Sequence, residues 1–303
     1  MQQPTPKTAL FAQWIQGRLV VVDQTLTTGN VWFVGSGVSG ATDSAGYGRS
    51  PEAPFATINY AVSQATASNG DLILVLPGHV ETVTAAAGLA INKAGLRIIG
   101  LGQGASRPQI NLTTSTAASC DVTAANNVLE NIVFKLNSVD ALTAAVNVQA
   151  ADVTIRNCRF LMGDATNQPT LGILTNSSAD RFALVDSQFV GTTDAGTTAA
   201  VRLVGGDGIR IERCQFLGGY GAGNGAIENI TTACTNLHVL ECSITNGTAS
   251  STKAITAVAG TTGMVSRNNL QILSGTAPIT AAGMSWVGGN YYAAVVATAG
   301  TLI

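Results

Sequence analysis

Arg210, Glu212 and His238 are the residues of this sequence best placed to do chemistry together. A guanidinium can hold an acidic sugar, a carboxylate can act as acid, base or nucleophile, and an imidazole moves protons near neutral pH. Polysaccharide cleavage asks for more. Hydrolysis of a glycosidic bond uses two carboxylates about 5–9.5 Å apart, and β-elimination uses a cation site beside a basic group. The trio has one carboxylate, so a solvated face carrying an Arg–Glu pair accounts for it equally well. Asp180, Asp186 and Asp207 stand near turns, where Asp serves its own backbone. His79 reads as a loop or cap residue, and the glycine-rich run 35–48 lacks the spacing of a phosphate-binding loop. The expectation is no catalytic set, no cofactor and no metal, with Arg210, Glu212 and His238 as the nominees should activity exist.

Cysteine chemistry is not indicated either. Cys120, Cys158, Cys214, Cys234 and Cys242 are odd in number and contain no C-x-x-C pair, which disfavours a disulfide framework or a zinc knuckle.

The elements that carry these residues repeat. An apolar–x–polar–small–x–apolar hexad occurs as LENIVF, IRNCRF, LVDSQF, IERCQF, VLECSI and VSRNNL, ending at residues 134, 160, 189, 216, 244 and 270. The intervals are therefore 26, 29, 27, 28 and 26 residues. A second short apolar strand follows each of the first five hexads: AVNV, GIL, AVRL, AIENI and AITAV. Turn residues separate the strands, and no repeat unit contains a ten-residue helical pattern. The ladder of a leucine-rich horseshoe is missing. What remains is an all-β solenoid, a right-handed parallel β-helix of about 7–8 coils of roughly 27 residues. Cys158, Cys214 and Cys242 share one hexad position with Ser187 and Ile132, which suits a column of small, soft side chains.

Composition agrees with this reading. Of 303 residues only 11% are charged and 5% aromatic, with 34 glycines; the charged share is about half the usual one. The net charge of −2 gives no basic footprint for nucleic acid. No membrane span and no secretory leader are expected.

At the front, residues 53–66 place Phe55, Ile58, Ala61, Val62 and Ala65 at helical spacing. Pro54 is the expected starter, and Asn69-Gly70 the stop. Such a helix would cap the first coil. Residues 1–52 read as an N-terminal arm and cap entrance, 53–276 as capping helix and coils, and 277–303 as a C-terminal cap or oligomerisation segment. No charged residue follows Arg267. A neutral, aromatic ending marks an interface, so Phe11, Trp14, Trp286, Tyr291, Tyr292, Val295, Val296 and Ile303 are the interface candidates.

The run from Val31 to Glu81 resembles the N-terminal entrance of pectin-lyase-like β-helix proteins: a strand, a Gly/Asp loop, Pro-Phe-x-Thr-Ile, then a strand ending in Pro77, Gly78 and Glu81. The wording Leu-Pro-Gly-His-Val-Glu-Thr-Val is most similar to tailed-bacteriophage structural proteins. The resemblance implies a non-enzymatic virion protein, a capsid decoration (cement) protein or a surface spike. It would act as a homotrimer, bind the major capsid protein or other virion proteins, and be made in a host cytoplasm. The alternatives are a tailspike-like depolymerase and a glycan- or receptor-binding fibre module, for which Tyr220 is the one aromatic expected at the surface of the coils.

Overall fold

A strand whose inward residues are apolar and whose outward residues are polar must pair on both edges and cover one face. Short strands repeating every 27 residues or so do both by stacking. The computed structural model describes residues 11–15, 18–22, 29–221, 224–248, 251–273, 277–281, 283–284 and 286–294. Among these, three parallel sheets run the length of the molecule. Sheet one has ten strands, from Val31–Val34 to Trp286–Gly288; sheet two has nine, from Val80–Val83 to Tyr291–Ala294; sheet three has eight, from Leu89–Ile91 to Ile279–Ala281. Each strand pairs in parallel with its equivalent one turn away. The result is a parallel β-helix of eight complete coils. Strands 279–294 continue all three sheets, so among the described residues the stack runs past residue 276.

The corners beside sheet one are set by backbone chirality. Gly70, Gly95, Asn126, Asp152, Arg181, Gly208 and Asn236 precede its strands with positive φ. Asn131, Asn157, Asp186, Arg213, Glu241 and Arg267, the third hexad residues, follow them with φ between 49° and 59°. Two left-handed residues five apart thus clamp five of these strands, from Val128–Glu130 to Leu237–Leu240. Gly, Asn and Asp adopt this conformation readily, whereas Arg or Glu costs about 1–2 kcal/mol.

Inside, the hexad ends stack. Phe134, Phe160, Phe189 and Phe216 are consecutive partners in sheet two. Their ring centroids lie 4.9, 4.3 and 4.9 Å apart, with planes within 8°, 2° and 16°. Ile110 extends the column on one side, Ile244 and Leu270 on the other.

The first coil is closed edge by edge. Phe33 donates to Gly48 O and accepts from Phe55 N on sheet one. The Ser36 hydroxyl both accepts from Val80 N and donates to Val80 O, each at 2.9 Å, on sheet two. Asn59 Oδ1 accepts from Ala90 N at 3.0 Å on sheet three. The helix carrying Asn59 spans Ile58–Gln64 and buries Ile58, Ala61 and Val62, as their spacing predicts. Its limits differ from the sequence expectation. Thr57, not Pro54, is the N-cap, its hydroxyl accepting from Tyr60 N, and Ala65 ends it ahead of Asn69-Gly70. Glu81 supplies a further cap from 23 residues away, accepting from Ile58 N at 2.8 Å. His79 is buried beside it. Its Nδ1 accepts from Ser36 N at 3.0 Å, which leaves Nε2 to donate to Glu81 at 3.3 Å. His79 is therefore part of the cap.

Upstream, Phe11–Ile15 and Arg18–Val22 form a two-stranded antiparallel ribbon. No helix among the described residues is long and apolar enough to cross a membrane.

Candidate functional site

Arg210 and Glu212 lie on one strand of sheet one, two residues apart and so on the same, outer face. Parallel pairing puts His238 beside Arg210 and Leu240 beside Glu212. The register therefore does bring the three nominated residues onto one patch. It also shows what Glu212 is doing. Its Oε1 stands 3.5 Å from Arg210 Nε and its Oε2 3.2 Å from Arg213 Nη1. Both oxygens face guanidinium groups.

The same arrangement recurs along sheet one and its corners. Arg156 reaches Glu130 at 2.6 Å, Arg181 reaches Asp152 at 2.6 Å, Arg213 reaches Asp186 at 2.7 Å and Arg267 reaches Glu241 at 2.8 Å. Each pair joins neighbouring coils. Hydrogen bonding from Arg181 and from Arg213 holds the Asp152 and Asp186 carboxyls below the usual range, against a smaller opposing effect of burial. Asp180 and Asp207 are engaged in turn hydrogen bonds: Asp180 accepts from Asp207 N, and Asp207 accepts from Thr235 and Asn236. This face is a ladder of ion pairs that ties one coil to the next. Among the described residues, its Glu130, Asp152, Asp186, Glu212 and Glu241 are each paired with an arginine. Among the described residues, no three His, Cys, Asp or Glu side chains converge as metal ligands would.

The cysteines fill the interior. All five are free and buried. The Cys158, Cys214 and Cys242 thiols donate to carbonyls of Arg156, Glu212 and Leu240 at 3.4, 3.2 and 3.3 Å. Burial pushes the Cys158 and Cys234 thiols up to about 12, which keeps them protonated and unreactive.

Tyr220 departs from its sequence expectation. It is 1% exposed, with its backbone N held by Asn246 Oδ1 at 2.9 Å. A Cβ at Gly218 would stand 3.3 Å from its hydroxyl, so the small residue makes room for the ring. The coils offer no surface tyrosine there for stacking on a sugar.

Large apolar side chains that do reach solvent fall in two places. Val80, Leu217 and Tyr291, exposed by 47%, 37% and 77%, lie on the outer face of sheet two; Val287 and Tyr292 lie on the last coil. Of the other interface candidates, Phe11, Trp14 and Trp286 sit on the strands named above. Val295, Val296 and Ile303 lie outside the described residues. The outer face of sheet two was not singled out from the sequence, although its composition was readable there. From the fifth coil onward its two outward columns read Gln188, Gln215, Ser243, Asn269 and Val190, Leu217, Thr245, Gln271. None is charged. An open cleft of about 320 Å³ beside the capping helix is lined by Asn59, Ser63, Asn92 and Lys93.

Fold and faces together define a parallel β-helix of the pectate-lyase type, stitched on one side by ion pairs and neutral on the next. Among solved structures, a pectate lyase, Pel9A, is similar over 82% of this chain and 65% of its own, with a TM-score of 0.58 at 14% identity. The chain thus spans just under two thirds of that enzyme, and the likeness is one of fold. A rhamnogalacturonan lyase (12% identity, 82% and 75% covered) has a TM-score of 0.48. ORF18 of Geobacillus virus E2 (13% identity, 93% and 67% covered) has a TM-score of 0.38. No family model and no curated protein matches the sequence.

Proposed function

We propose that the chain is a non-enzymatic structural subunit of a bacteriophage particle, a capsid decoration protein or a surface spike. In this reading it assembles as a homotrimer, sits on the virion surface and contacts the major capsid protein or other virion proteins. One observation carries it: Glu212, the carboxylate a catalytic reading needs most, is held between Arg210 and Arg213, in a ladder whose acids are each paired with an arginine. The N-terminal wording Leu-Pro-Gly-His-Val-Glu-Thr-Val and the neutral, partly apolar outer face of sheet two support assembly over chemistry. Mass spectrometry of purified particles tests it, with the chain expected in stoichiometric amount. Its absence from intact particles would falsify the proposal.

A second reading rests on the adjacency of Arg210 and His238 on neighbouring strands of the outer face of sheet one. There the chain is a polysaccharide depolymerase, with Arg210 binding an acidic sugar and Glu212 and His238 handling protons. Glycan cleavage that vanishes in Glu212→Gln, with the fold intact, would favour this reading over the first.

A further inference from the structure

The outer face of sheet two differs from the other two in where its charge lies. In the register of its nine strands the outward columns run Val80, Gln109, Val133, Arg159, Gln188, Gln215, Ser243, Asn269, Tyr291 and Thr82, Asn111, Lys135, Leu161, Val190, Leu217, Thr245, Gln271. Two of these seventeen positions are charged, both positive and on neighbouring coils: Lys135 and Arg159. Neither has an acidic partner within ion-pair distance among the described residues, whereas Arg156, Arg181, Arg202, Arg213 and Arg267 all do. Beside this face, the loops leading into sheet three carry carboxylates on the third, fourth and fifth coils, the last being Asp194, and a cation, Lys253, on the seventh. Asp140 follows Lys135 on the third coil, and Asp164 follows Arg159 on the fourth; both are exposed. Asp164 accepts from Thr166 N and Asn167 N, and among the described residues no cation is within ion-pair distance of either carboxylate.

We propose that the outer face of sheet two, with this adjoining loop edge, is the surface through which copies of the chain associate side by side. The inference rests on the reading of the chain as an assembly subunit and supplies the interface. Their solenoid axes run parallel with coils at equal height, so that Lys135 and Arg159 of one copy face Asp140 and Asp164 of the next.

Three arguments commit the face to a second copy. The first is charge. Lys135 and Arg159 have Asp140 and Asp164 on their own two coils, so equal height pairs them; an antiparallel arrangement would set Lys135 against the seventh coil, whose loop carries Lys253. The second is chemistry. Gln, Asn, Ser and Thr both donate and accept, so a ladder of them matches another copy of itself, and depletion of charge around Leu217 and Tyr291 lowers the desolvation cost. The third is size. Nine strands about 4.8 Å apart make a face about 40 Å long. With a breadth of about 15–20 Å, that is roughly 600–800 Å² per partner, close to the ~800 Å² of a standard interface. Contacts at equal height close into rings without building filaments.

Light scattering on the full chain tests this with a charge swap. Lys135→Glu alone and Asp140→Lys alone should each raise the concentration for half-association on the order of tenfold, because each opposes like charges. The two together should restore it. Both positions are on the surface, and an unchanged circular dichroism spectrum and melting temperature confirm the fold of each variant. Association of the wild type should weaken with added salt. Single reversals that leave the mass unchanged, or a double reversal that stays dissociated, overturn the proposal. A chain found in stoichiometric amount on particles yet monomeric in solution also overturns this interface, while leaving the proposed function standing.

Discussion

The rings of Phe160 and Phe189, 29 residues apart in sequence, lie 4.3 Å apart with planes within 2° of each other. Coil spacing imposes that geometry. Parallel strands stand about 4.8 Å apart, so identical side chains in register must stack with their planes parallel and cannot meet edge to face. The stabilisation therefore comes chiefly from burial and close packing. Phe189→Ala, in the middle of the column, should cost about 3–5 kcal/mol, and Phe189→Leu less than about 1.5 kcal/mol, by urea unfolding. Equal costs for the two would mean that the column is not close-packed.

Asn131 carries two duties at its corner. It holds a φ of 59°, and its amide donates to Gly100 O at 2.7 Å and Gly102 O at 3.0 Å. Asn131→Ala loses the hydrogen bonds and meets the left-handed penalty, about 2–3 kcal/mol together. Asn131→Gly loses only the hydrogen bonds and should cost about half as much. Glu241 holds the same corner four coils on, at a φ of 55°, with one exposed ion pair of little worth. Glu241→Asn should accordingly raise stability by up to about 1 kcal/mol. Thermal denaturation of the three variants gives the order, and a destabilised Glu241→Asn would show that the ion pair outweighs the strain.

These corners show where the sequence could be read and where it could not. Hexads reveal themselves because inward positions must be apolar on every coil, and the Phe134 to Phe216 column follows from register alone. The corner column was half visible. Asn131, Asn157 and Asp186 are ordinary left-handed residues, but Arg213, Glu241 and Arg267 are not. Their signal was alternation of charge, since Asp186, Arg213, Glu241 and Arg267 occupy one hexad position. The helix start was misjudged because much of its capping comes from Glu81, a long-range partner no local pattern shows. Tyr220 looked like a surface aromatic since its neighbours are glycines; those glycines are what let it turn inward. Arg210, Glu212 and His238 were found together by period alone, whereas the clamp on Glu212 depended on Arg213, whose left-handed backbone swings it back across the strand end.

Acid should loosen the first coil before the rest. Asp71 is buried, and burial works against its charge. Hydrogen bonds from Thr66 N, Asn30 N, Asn69 and Trp32 prevail, holding its carboxyl below the ordinary value. A carboxyl depressed in the folded state contributes stability that is complete above its unfolded value of about 3.9 and disappears as pH falls through the folded one. The window is thus below about pH 4. Trp32 Nε1 donates to Asp71 at 3.3 Å, so its fluorescence, in a chain whose other two tryptophans are replaced by Phe, should report the transition. Asp71→Asn should lose about 2–3 kcal/mol at neutral pH and show a flatter acid limb. An unchanged acid limb would remove Asp71 from the account.

Glu228 should behave in the opposite sense. It is buried on the outer side of sheet three, and burial raises its carboxyl above the ordinary range despite the ion pair with Arg202. Its Oε2 has no hydrogen-bond partner, nor has the hydroxyl of Thr256, its register neighbour on the next coil. A carboxyl raised in the folded state gives its full contribution below the unfolded value of about 4.3 and loses it as pH climbs through the folded one. Replacing Glu228 by Gln removes that titration and places an amide donor beside the Thr256 oxygen. The stability of Glu228→Gln relative to the wild type should therefore rise as pH increases from 4 to 7, measured by urea midpoints at matched ionic strength. A relative stability that falls over the same range would mean that the Arg202 pairing outweighs burial, and that Glu228 holds sheet three together as a charged residue.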